Sequence, residues 1–391
     1  MDRKIKLGII GIGNMGSGHA GNVVSGKCPD FELVAVADIN KDRIEWAKEN
    51  ISREIKYFYN AEEMLDSGLI EACMVCVPHY DHPKYAIECM KRGIHVMVEK
   101  PAGVYTKQVR EMNEEAKKHP EVVFGMMFNQ RTNHIYRKMR ELVRSGDYGN
   151  IRRTNWLITT WYRPQAYYDS GDWRATWSGE GGGVLLNQCP HQLDLWQWIC
   201  GMPKKVRSYL HYGQWHDIEV EDDVTTYVEY ENGATGVFIT STGDAHGTNR
   251  FEIQLDRAKI VVEEDNLSVL EYEMTEQEFS KTNKIPFGNV PAKNVEIVTD
   301  GKNEQHIGVV NAWGKAILNG EPLIADGSEG INGLTLSNAM HLSSWLNKEI
   351  DIPFDEELYY NELMKRVATS RRKESGKTVF ADTSNTYSGN K

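Results

Sequence analysis

Residues 181–196 read GGGVLLNQCPHQLDLW, an apolar run broken by Asn187, His191 and Asp194. Placed on a helix, these three fall at i, i+4 and i+7 and share one face. Imidazole titrates near neutrality, so His191 can take the proton of an alcohol as hydride leaves the carbon. Asn187 can orient a hydroxyl but cannot accept its proton. Asp194 can fix the substrate or the imidazole. Leucines and tryptophans cover most of the remaining surface, which predicts a buried helix whose polar stripe lines a cleft. Pro190 cannot donate to the carbonyl of Leu186, so a kink near His191 is expected. The three glycines are expected to let a ligand approach the backbone closely. A histidine satisfied inside the core is the competing reading, and the polar stripe weighs against it.

A second candidate is the lysine of VMVEKPAG, residues 96–103. This apolar run reads as a strand that ends at Glu99 and Lys100. In open α/β sheets, ligands bind at the carboxyl ends of the strands. There Lys100, held by Pro101, could bind a substrate hydroxyl and add positive charge beside a developing alkoxide. A solvated lysine at the start of a loop is the plain alternative.

A third group lies in TWYRPQAYYDSGDWRATW, residues 160–177. Arg163, Trp173 and Arg174 stand there among further aromatic residues. Flat rings beside hydrogen-bonding charges suit a polyhydroxylated ring, with its apolar faces and polar rim. A loop stapled onto its own domain by its aromatics fits the pattern equally well.

The first apolar run ends in GIGNMG, placing Gly11, Gly13, Asn14, Met15 and Gly16 between a strand and a helix. This is the dinucleotide fingerprint in its proper context. The first glycine permits the turn, the second lets a pyrophosphate approach, and the third allows helix and strand to pack. The helix N-terminus then presents amides and partial positive charge to phosphate. Asp38 ends the next strand, about twenty residues on, where an acid binds ribose hydroxyls. An acid there repels a 2′-phosphate, so NAD is favoured over NADP, although Lys41 and Arg43 follow closely. Asp38 could instead cap the following helix. Glu99 and Lys100 complete the expected cofactor contacts.

These groups need a scaffold. Through residue 125, short apolar strands alternate with helical patterns, which predicts a doubly wound parallel sheet, a Rossmann α/β domain. From 126 to 355 the rhythm changes. A helix over 136–145 and a long strand over 151–162 precede several extended runs, among them a hairpin at Asn232-Gly233. We expect an α+β domain there, with an open, mostly antiparallel or mixed sheet. Residues 356–391 read as a partly flexible C-terminal extension.

The chain has 391 residues, is 40% hydrophobic and carries a net charge of −11 without a basic block. Nucleic acid and anionic membranes are therefore not expected partners. No apolar run is long enough to span a bilayer. Six scattered cysteines make no disulfide framework and fit a reducing cytoplasm. In CMVCVPHYDH, residues 73–82, cysteines three apart on a strand point to opposite faces, so no metal site is expected.

Together, GIGNMG with Asp38, the Glu99-Lys100-Pro101 strand end, and GGG-x-L-x-N-x-x-x-H-x-x-D resemble the glucose–fructose oxidoreductase/inositol dehydrogenase/rhizopine-catabolism (Gfo/Idh/MocA) family. The late segment ADGSEGINGLTLSNAMHLSSWLNKEIDIP resembles its closing helix, and the likeness covers about residues 4–354. It implies a Rossmann domain for NAD or NADP and a second domain whose open sheet often serves dimer or tetramer contacts. It implies that Lys100 is the lysine of the E-K-P motif and His191 the acid/base. Typical substrates are pyranoses, cyclitols, and their glycosides or phosphates. Many members carry Asp where this chain has Asn187, whereas sugar-oxidising relatives with Asn are familiar. The resemblance thus implies an oxidoreductase acting on a sugar, glycoside or cyclitol hydroxyl, with C3 of a pyranoside a natural position. Two alternatives are a glycoside hydrolase working through transient oxidation by held NAD, and a dinucleotide-bound sugar sensor.

Overall fold

The computed structural model describes residues 3–51 and 54–371. The first unit alternates strand and helix: β1 (Ile5–Ile10), α1 (Asn14–Val24), β2 (Phe31–Ala37), α2 (Lys41–Asn50), β3 (Lys56–Phe58), α3 (Ala61–Asp66), β4 (Ala72–Val75), α4 (His82–Lys91), β5 (His95–Val98), α5 (Thr106–Lys118) and β6 (Phe124–Met126). Its strands form a six-stranded parallel sheet in the order β3-β2-β1-β4-β5-β6. Every residue of β4 is buried, as expected of a strand covered on both faces. The order reverses between β1 and β4, and the crevice at such a switch point receives the ligand. The glycine loop after β1 and Lys100 after β5 both lie at the carboxyl edge.

The second unit opens with α6 (His134–Arg144), β7 (Ile151–Ile158), α7 (Gln165–Tyr168) and α8 (Pro190–Cys200). Then come β8 (Lys205–Tyr212), β9 (Glu221–Glu229), β10 (Thr235–Ser241), β11 (Asn249–Leu255), β12 (Ala258–Glu263), β13 (Asn266–Tyr272), α9 (Glu276–Thr282) and β14 (Ala292–Val295). The unit closes with α10 (Gln305–Asn319), α11 (Gly330–Leu346), β15 (Ile350–Asp351) and α12 (Glu356–Val367). Its nine strands run β14-β13-β12-β11-β7-β10-β9-β8-β15. The sheet is mixed: β7 and β10 are parallel, and the other pairings are antiparallel. Alternate residues of β8 and β9 are buried, so one face is covered and the other is left more open.

One sequence expectation changes. The strand expected over 151–162 stops at Ile158, and the chain leaves the sheet ahead of Pro164. The extension after Asp355 begins as a helix. Asp355 accepts from the amides of Glu357 and Leu358, and α12 follows with acids in its first turn and cations in its last. The last dozen residues lie outside the described residues. Helix α10 packs back on the first sheet. Trp313 is fully buried, stacks on Phe31 at 5.1 Å and donates to the Val123 carbonyl at 3.2 Å. The two units are thus tied by more than the link after β6.

Candidate active site

The glycine loop fits a dinucleotide phosphate. Gly11 has φ +89, and a Cβ there would meet the Cys76 carbonyl oxygen at 2.4 Å. A Cβ on Gly16 would lie 1.9 Å from the Gly11 oxygen. Gly13 has nothing within 4 Å of that position, so the backbone is open to a ligand where α1 begins. Asp38 does not cap α2; Asn40 does, accepting from Asp42 at 2.9 Å. The Asp38 carboxylate instead accepts from the amides of Ile12, at 2.7 Å, and Asn40, at 2.8 Å. It therefore sits against the glycine loop. Arg43 is buried, donates its Nε–H to the Ile12 carbonyl at 2.5 Å and stacks on Trp46.

At the end of β5, buried Glu99 accepts a hydrogen bond from His19 of α1 at 2.7 Å. Burial alone raises such a carboxyl. The His19 hydrogen bond and the charges of His19, His306 and Lys100 outweigh it and hold Glu99 at about 2. Lys100 is half-buried, and its Nζ donates to the Asn187 carbonyl at 2.8 Å. That bond joins the edge of the first sheet to the turn before α8. Burial lowers the Lys100 pKa; Glu99 and Glu180 oppose this, while Arg174 and Arg163 add to it.

The Asn187 amide donates to the Tyr167 hydroxyl at 3.1 Å and to Glu180. Arg174 reaches the same hydroxyl at 3.0 Å and also stacks on Tyr167 and Trp173, each at 4.7 Å. Arg163 lies 5.2 Å from the Tyr167 ring. Glu180 is buried and also accepts from the Ala175 amide at 2.6 Å; burial pushes its carboxyl up, with Arg174 the main opposing charge. His191 is 1% exposed, edge-on to Phe128 at 6.4 Å. Burial, then the charges of Lys100 and His306, holds the imidazole well below its usual range, with Glu99 weakly opposing.

The expected one-faced polar stripe is not what forms. The helix starts at Pro190, where a missing N–H costs nothing, so there is no kink beneath His191. Asn187 precedes the helix in a turn, its amide donating to the Gly183 carbonyl at 2.9 Å. Asp194 is not in the site. It is buried, and its two oxygens accept from Arg131 at 2.8 and 2.7 Å. A buried guanidinium needs such a partner, and that demand takes Asp194. The three glycines also serve packing rather than ligand approach. A Cβ on Gly181 would meet Val104 at 2.3 Å, and one on Gly183 would meet the Glu221 carbonyl oxygen at 2.0 Å. Glu221 fixes this turn by accepting from the amides of Gly183, at 2.9 Å, and Leu185, at 3.0 Å, while pairing with His341.

Sequence reasoning missed His19, Glu180, Glu221 and His306. A single acid or histidine in an otherwise ordinary stretch carries no pattern. Only Glu180, one residue before the glycine triplet, stands next to a singled-out motif.

A glycine loop at the switch point of a parallel sheet, with a lysine bonded across to the turn before α8, is the arrangement of an NAD-binding oxidoreductase. The family model described as the oxidoreductase family, NAD-binding Rossmann fold, matches residues 5–126, and the GFO/IDH/MocA C-terminal domain matches 136–261. The chain belongs to the GFO/IDH/MocA family, whose members include NAD-dependent sugar and cyclitol dehydrogenases. It is 25% identical over 342 residues to myo-inositol 2-dehydrogenase of Thermotoga maritima, covering 86% of this chain and 95% of that protein. It is 27% identical over 221 residues to D-glucoside 3-dehydrogenase of Escherichia coli, covering 52% of this chain and 61% of that one. The WlbA dehydrogenase of Chromobacterium violaceum, crystallised with NADH and UDP-GlcNAcA, superposes with a TM-score of 0.77 at 25% identity, covering 91% of this chain and 98% of that one. No helix among the described residues is long and apolar enough to cross a membrane.

Proposed function

We propose that this protein oxidises a secondary ring hydroxyl of a sugar, glycoside or cyclitol to the ketone, with C3 of a pyranoside the favoured position. The observation that carries this reading is the bond from Lys100 to the Asn187 carbonyl, which brings the E-K-P lysine to the turn leading into His191. Bound NAD supplies the hydride acceptor. Gly11, Gly13, Gly16 and the amides of Asn14 and Met15 would hold its phosphates, and Asp38 its ribose. Glu99, fixed by His19, orients the strand end. The neutral His191 takes the hydroxyl proton, which its depressed pKa leaves it free to do at neutral pH. The Lys100 ammonium binds the reacting oxygen and offsets its developing negative charge. Asn187, fixed by Glu180 and Tyr167, orients the ring, and Arg163, Trp173 and Arg174 line the substrate cleft.

The relatives act on cyclitols and glucosides by name, which supports a ring hydroxyl; the E. coli relative's name supports C3. The open face of the second sheet exposes Tyr209 and Tyr227, which supports a homo-oligomer, dimer or tetramer, built on that face. Six unpaired thiols fit the cytoplasm. The test is a panel of pyranoses, glycosides and inositols, read by NADH absorbance with NAD and NADP in parallel. We expect NADH to accumulate stoichiometrically with a keto product, and NAD to be preferred. Cleavage of a glycoside without NADH accumulation, or no response to any ring, would overturn the reading.

A further inference from the structure

Two guanidinium groups flank Tyr167. Arg163 lies 5.2 Å from the Tyr167 ring and 5.5 Å from Trp161; Arg174 lies 4.7 Å from Tyr167 and hydrogen-bonds its hydroxyl. Both are half-buried, and both act on Lys100 through their charge. Among the described residues, the one ion pair either arginine makes is Arg174 with Glu180, at 3.9 Å. Arg163 spends a single N–H on the Tyr162 carbonyl, at 2.8 Å.

The two acids that act on Lys100, Glu99 and Glu180, are already engaged. Glu180 already accepts from Asn187 and the Ala175 amide. Glu99 is bound to His19. Three half-buried cations with spare guanidinium donors favour an anion, because such donors match carboxylate and phosphate oxygens in pairs. At the intermediate dielectric of such a site, the attraction is not fully screened.

We propose that Arg163 and Arg174, held on Tyr167, form a subsite for an anionic group carried by the substrate: a carboxylate or a phosphate on the sugar ring. This rests on the sugar-dehydrogenase reading and narrows it to acidic sugars. Tyr167 couples the subsite to the reacting end, because its hydroxyl also binds Asn187.

The test compares D-glucose, D-glucuronate and D-glucose 6-phosphate with the NAD-loaded wild-type chain. One arm reads kcat/KM for NADH formation. A second arm reads binding by quenching of tryptophan fluorescence, since Trp161 and Trp173 lie against the arginines. We expect one anionic sugar to exceed glucose by on the order of tenfold or more, and its KM to rise with added salt. Which of the two anionic sugars wins identifies carboxylate or phosphate. In Arg163→Gln the anionic-to-neutral ratio should fall on the order of 10- to 100-fold. Equal or better performance of glucose in both arms overturns the proposal, whether or not the variant folds. A ratio unchanged in a folded Arg163→Gln variant also overturns it. Selective binding of an anionic sugar without NADH formation would leave the subsite standing and remove the dehydrogenase reading instead.

Discussion

Helix α8 carries two polar side chains one turn apart that meet opposite fates. His191, near the start, feels the charge of Lys100, whose Nζ bonds the Asn187 carbonyl in the turn just before the helix. Asp194, one turn on, is sealed against Arg131 with both oxygens engaged. Burial acts on both, but its result differs. At His191 it removes charge and leaves a neutral acceptor. At Asp194 it is tolerated because a full guanidinium faces the carboxylate. On the proposed function, the helix divides between chemistry at its first turn and architecture at its second.

Substitutions can break this contrast. The largest expected effect is on folding. Asp194→Asn removes the bidentate carboxylate on buried Arg131 and leaves it only Glu329, at 2.8 Å, which should cost about 3 kcal/mol. A melting curve checks this; an unchanged Tm would show that the pair is dispensable. Lys100→Gln should do the reverse. It should lower kcat by about 10²- to 10³-fold, the range for losing one oxyanion donor, with little change in Tm. Steady-state kinetics beside calorimetry separates the two. Glu221→Gln is smaller and mixed. It weakens the acceptor of the Gly183 and Leu185 amides and should cost about 1–3 kcal/mol. Part of that should reach kcat, because the turn also holds Asn187. An effect confined to stability would place Glu221 with Asp194 rather than with the site.

The first sheet was legible almost element by element, because buried parallel strands leave uninterrupted apolar runs and the glycine loop has its own grammar. Only the short edge strand β3 escaped. The positions of Lys100 at a strand end and of His191 on a buried helix were also legible, while their roles are proposals. The arrangement around His191 was not. Asn187, His191 and Asp194 fit helical spacing, but a proline after Cys189 could mean a kink or a first turn, and the local sequence does not choose. Asp194 was assigned to the cleft because Arg131, its partner, lies 63 positions away in the chain. The glycine triplet was read as room for ligand, whereas Val104 and Glu221 occupy that room from distant segments. Long-range partners decided each of these cases.

The central claim is that neutral His191 takes the substrate proton. The most direct measurement is kcat/KM for NADH formation from about pH 5 to about pH 9, in wild type and His191→Ala. A base must be deprotonated to act, so activity should fall as the pH drops through its pKa. Because burial and the neighbouring cations depress that pKa, the wild-type acid limb should lie well below 6.5. His191→Ala should lose about 10²- to 10⁴-fold in rate and lose that limb. A variant near the wild-type rate, or one that keeps the same acid limb, would contradict the account.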